Sequence, residues 1–97
     1  NLTEKTPREL AHYHLELAAE YGQLSDALGR ILQLKDINWM ILRDTVTSDR
    51  QCDRVWHRTE PGLKERQIEL RMKKITKIMG SIRIYLGVKE NESRNNY

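Results

Sequence analysis

Phenylalanine is absent from this chain, cysteine occurs once and proline only twice. No apolar run approaches the roughly 18 residues that would cross a bilayer. The lone Cys52 has no partner for an internal disulfide, so a reducing, cytoplasmic setting is expected. The opening NLTEKTPREL lacks the basic and apolar regions of a signal peptide. There is no glycine-rich phosphate loop and no serine, histidine and acid grouping of the kind that activates a nucleophile. A catalytic role, a cofactor and a small-molecule substrate are therefore not expected.

What is present fits a thin helical protein. Hydrophobic residues make up 38% of the 97 and charged residues 32%. That is too charged for a thick globule and too regularly patterned for disorder. The net charge of +3 conceals an asymmetry. Residues 1–46 carry five Lys/Arg against seven Asp/Glu, whereas residues 62–89 carry eight against two. A single domain over 1–97 is expected, with no internal repeat or linker.

Thr6-Pro7-Arg8-Glu9 is a strong helix start: a capping hydroxyl, a proline suited to the first turn and a glutamate that can close the capping box. From there Leu10, His14, Leu17, Tyr21, Leu24, Leu28 and Ile31 alternate at four and three, a heptad stripe for a partner helix. Gly22 and Gly29 fall off the stripe and are places where the helix could bend. The stripe lapses at Lys35 and Asn38, and Leu34, Ile37, Trp39, Met40, Ile41 and Leu42 crowd all round the helix. Such a segment is expected to be buried on more than one side. Helix is predicted over about 7–45.

A short helix is predicted over about 49–58, capped by Thr47 or Ser48 and docking through Val55 and Trp56. A last helix, about 61–86, carries a second stripe at Ile68, Met72, Ile75, Met79, Ile82 and Leu86. Gly87 is placed to cap it, and the polar stretch 88–97 reads as a frayed tail. The predicted fold is all-α: a long antiparallel helical hairpin, coiled-coil-like, with a short connecting third helix.

His12, His14, Cys52 and His57 are nominal metal ligands. Positions two apart on a helix point about 200° apart, and Cys52 and His57 lack the short paired spacings of zinc sites, so no metal is expected. The clearer chemical signal is the last helix. Arg66, Lys73, Lys74 and Lys77 fall outside its stripe, flanked by Lys64 and Arg71. A run of cations suits phosphate backbones through counterion release, although exposed Lys and Arg are also the ordinary covering of a helix. Leu63, Leu70 and Ile84 also lie outside the stripe and form a candidate protein interface. Trp39 and Trp56 fit either a core where three helices meet or an interface.

The stretches TPRELAHYHLELAAEYGQLSDALGRI and SDRQCDRVWHRTEPGLKERQIELRMKKITKIMGSIRIYL, with the ending RNNY, resemble short all-helical bacteriophage accessory proteins encoded near early replication, recombination or anti-defence genes. Ser48, Asp53, Trp56, Thr59 and Gly62 carry the resemblance, and a capped turn beside a core tryptophan would explain them physically. The resemblance implies an intracellular, non-enzymatic protein that acts by binding. The expected function is a binding module acting on nucleic acid or on a nucleic-acid-processing protein. The alternatives are an anti-CRISPR-like stoichiometric inhibitor of a host defence nuclease and a self-associating helical protein. Nucleic acid, a host or phage protein, or a second copy are the partners this leaves, with no membrane among them.

Overall fold

The computed structural model describes residues 4–45 and 48–95, with side chains as far as Val88. The chain is all-α: α1 spans Pro7–Leu42, α2 Asp49–Arg58 and α3 Glu60–Asn95. Among the described residues no helix is long and apolar enough to cross a membrane.

Helix α1 starts where the capping signals place it, with the Glu9 amide donating to the Thr6 hydroxyl at 3.2 Å. It continues without a break through Gly22 and Gly29 and ends at Leu42, three residues before the predicted Thr45. Ser48 caps α2 by accepting from the Gln51 amide at 3.2 Å; Thr47, the other candidate cap, lies outside the described residues. At the α2–α3 corner, the Thr59 hydroxyl donates to the Trp56 carbonyl at 2.6 Å and accepts from the Gly62 amide at 3.1 Å. One side chain thus closes α2 and opens α3. Gly62 has no room for a side chain: a Cβ there would sit 1.9 Å from the Trp56 carbonyl oxygen.

Helix α3 runs past its predicted end. Gly87 does not cap it and takes no positive φ, and the helix continues to Asn95. A glycine inside a helix costs about 1 kcal/mol, and the following Val-Lys-Glu-Asn-Glu contains no proline to stop it. The predicted frayed tail is therefore helical over 88–95, while 96–97 lie outside the described residues.

Packing groups the chain into two compact units, Asn1–Gly22 with Lys73–Tyr97 and Gln23–Met72. The first unit buries Leu10 and Leu17 from α1 and Ile75 and Ile82 from α3, four residues of the two predicted stripes. The second unit holds the later part of α1, all of α2 and the start of α3, with Ile31, Cys52 and Trp56 as its buried apolar residues. In it α1 and α3 run antiparallel: Ile31 shares a groove with Ile68, and Ile41 shares one with Thr59.

Two expectations about this unit are corrected. Helix α2 docks through Cys52 and Trp56, four residues apart on one face, while Val55 is partly exposed. The segment Ile37–Leu42 is not buried all round. The inward stripe continues in register through Lys35, Asn38 and Leu42, all half-buried. Ile37, two residues on from Lys35, is turned about 200° away. Leu34, Ile37, Met40 and Ile41 therefore stay exposed, at 52%, 57%, 75% and 65%.

Of the inward polar residues, Lys35 is paired with a buried carboxylate. Glu65 accepts from the Trp56 indole N–H and is paired with Lys35 Nζ at 3.3 Å. A buried charge without such partners would be strongly unfavourable. Nearby, Asn38 Oδ1 and Trp39 Nε1 are buried with no hydrogen-bond partner among the described residues.

Candidate nucleic-acid interface

The six cations singled out on α3 divide between the units. Lys73, Lys74 and Lys77 belong to the first; Lys64, Arg66 and Arg71 belong to the second. Lys64 and Arg66 are exposed, and Lys64 lines a groove of about 650 Å³ with Ala27, Ile31, Leu34 and Pro61. Arg71 is half-buried and already has a partner within the structure. It is the least suited of the six to an external ligand.

In the first unit the geometry is simpler. Ile75 and Ile82 point into the core and fix which side of α3 is outside. Lys73 and Lys77, four apart, and Lys74 and Lys77, three apart, then share an exposed face. None of the three makes an ion pair with a described residue. Residues 73–88 contain Lys73, Lys74, Lys77 and Arg83 and no Asp or Glu. Like charges one turn apart cost a helix a few tenths of a kcal/mol, so this face gains from an anion laid along it. Arg83, not among the six, is exposed and donates from Nε to the Met79 carbonyl at 3.4 Å.

The acidic residues of this unit whose side chains are described lie on the α1 side. His12 and Glu16 pair at 2.9 Å, and Lys5 stands over the Tyr13 ring at 5.6 Å. These groups, with Arg8 and Glu9, line an open depression of about 530 Å³. His14 is half-buried on the inward stripe, with Nε2 unpartnered among the described residues. Cys52 is buried and free, and His57 sits by the Asp53 carboxylate at 3.5 Å. Among the described residues no three His, Cys, Asp or Glu side chains converge as a metal site requires.

The candidate protein-interface residues also divide: Leu63 and Leu70 are exposed in the second unit and Ile84 in the first. Missed from sequence was a further apolar stripe on the outside of α1, at Leu34, Ile37 and Ile41. Its four-and-three spacing was readable, but the same residues served equally well as a doubly buried segment. No family model, curated protein or solved structure matches the chain.

Proposed function

We propose that the protein is a non-enzymatic binding module that engages the phosphate backbone of nucleic acid through Lys73, Lys74 and Lys77. The supporting observation is the acid-free run 73–88, with three exposed lysines on one face and no ion pair to a described residue. Rigid placement on a helix whose other side is held by Ile75 and Ile82 lowers the entropy lost on binding. No aromatic side chain for base stacking lies between residues 73 and 84, so sequence-tolerant contact follows.

Three neutralised phosphates correspond to a slope of about −2.7 in log K against log salt on duplex DNA, or about a 40-fold loss of affinity between about 50 and 200 mM salt. Fluorescence anisotropy with a labelled duplex measures this directly. Lys73→Glu with Lys77→Glu should weaken binding and flatten the slope, with helical content unchanged because both sites are exposed. Salt-insensitive binding, or none at low salt, overturns the reading.

A second reading, occlusion of a protein surface, rests on Leu63 and Leu70, exposed in the second unit. A pull-down with and without nuclease treatment separates the two, since only the first depends on nucleic acid.

A further inference from the structure

The outer side of α1 in the second unit, with the turn just beyond its end, carries Arg30, Leu34, Ile37, Ile41 and Asp44 at intervals of four, three, four and three. That is the spacing of a helix-pairing stripe. It flanks the inward stripe, about 100° round the helix, and its apolar members border the grooves that α1 forms with the α2–α3 corner. The three apolar members are more than half exposed, and with Trp56 and Pro61 they wall a groove of about 360 Å³. Arg30 and Asp44 are exposed, and neither makes an ion pair with a described residue. Of the neighbouring charges, Lys35 is held by Glu65 and Arg43 by Asp49 at 2.8 Å, while Glu60 and Lys64 line the groove that Arg30 and Leu34 share.

The order of charges selects the occupant. The stripe is positive at one end, negative at the other and apolar between, with Ile37 seven residues from each charge. A second copy laid antiparallel, with its two-fold axis at Ile37, sets Arg30 of each copy against Asp44 of the other. It also sets Leu34 against Ile41 and Ile37 against itself. A parallel copy would instead oppose like charges at both ends, which is unfavourable. Such an arrangement is isologous and closes on itself, so it yields a dimer and not a filament. The second unit carries nine Lys/Arg and eight Asp/Glu, so net repulsion between two copies of it is small.

We propose that the protein forms a homodimer through this face, antiparallel about Ile37, with Arg30–Asp44 pairs at both ends. The proposal is independent of the nucleic-acid reading, which uses other residues in the other unit.

The test is a charge swap read by sedimentation equilibrium on the full chain at about 5–100 μM. Arg30→Glu alone sets a new carboxylate against Asp44, and Asp44→Arg alone sets a new guanidinium against Arg30; each should raise the dimer Kd by about tenfold or more. The double variant R30E/D44R inverts both pairs and should return the Kd to near the wild-type value. An equimolar mixture of the two single variants should form heterodimers for the same reason. Ile37→Glu, at an exposed position that leaves the core intact, should abolish dimerisation with unchanged circular dichroism. A wild-type chain that stays monomeric at about 100 μM overturns the proposal. So does a dimer insensitive to Ile37→Glu, or a double variant no tighter than the singles.

Discussion

Replacing Lys35 by methionine should destabilise the second unit even though an apolar side chain then sits on an inward stripe. Glu65 is 6% exposed and has two partners, Lys35 Nζ and the Trp56 indole. Without Lys35 the carboxylate stays buried with one donor. Removing one member of a fully buried pair costs about 3–5 kcal/mol. The Lys35 side chain is 24% exposed, so water already screens part of the interaction and about 2 kcal/mol is expected here. Glu65→Leu has a similar cost for another reason. It orphans the N–H of Trp56, itself 2% exposed, and an unsatisfied buried donor costs about 1–3 kcal/mol.

The double variant K35M/E65L removes both charges and retains only the orphaned indole. Its cost should therefore also be about 2 kcal/mol, against about 4 if the singles added, a coupling of about 2 kcal/mol. Urea unfolding followed by far-ultraviolet circular dichroism resolves this difference. In thermal unfolding each single variant should lower the midpoint by about 10 °C. Adding Trp56→Phe to the double variant removes the last orphaned donor, so part of the loss should return. If Lys35→Met is neutral, or if the two single costs add, the buried carboxylate is not held as the geometry indicates.

Two further substitutions test the corner between α2 and α3. Gly62→Ala places a methyl 1.9 Å from the Trp56 carbonyl oxygen, a backbone atom that cannot swing aside, so a loss of about 3 kcal/mol or more is expected by chemical denaturation. The same change at Gly22, with open space around its Cβ position, should be neutral or stabilising by up to about 1 kcal/mol. Thr59→Val keeps the shape but loses both hydroxyl bonds and should cost about 1–2 kcal/mol, with Thr59→Ser recovering most of it; equal stabilities for the valine and serine variants would refute the double cap.

The helices and their inward sides were legible in the residues alone, because local rules suffice for them. Thr6 and Ser48 supply capping oxygens, and apolar residues at four-and-three spacing mark the sides that bury Leu10, Leu17, Ile75 and Ile82. Trp56, Thr59 and Gly62 also stood out, though not how they fit together. Their roles depend on one carbonyl, one hydroxyl and the absence of a methyl meeting at a corner. The end of α3 was misplaced because a glycine is only a weak stop when good helix formers follow it.

The direction in which the later part of α1 faces was settled only by packing. From sequence, Lys35 and Asn38 interrupt the stripe, and the apolar residues around them call for cover. In the fold, Glu65 arrives from α3 to neutralise Lys35, so that this charged position can stay inward. A carboxylate 30 residues away in sequence, on another helix, leaves no local trace of that role. Its consequence is that Leu34, Ile37 and Ile41 turn outward and become a surface.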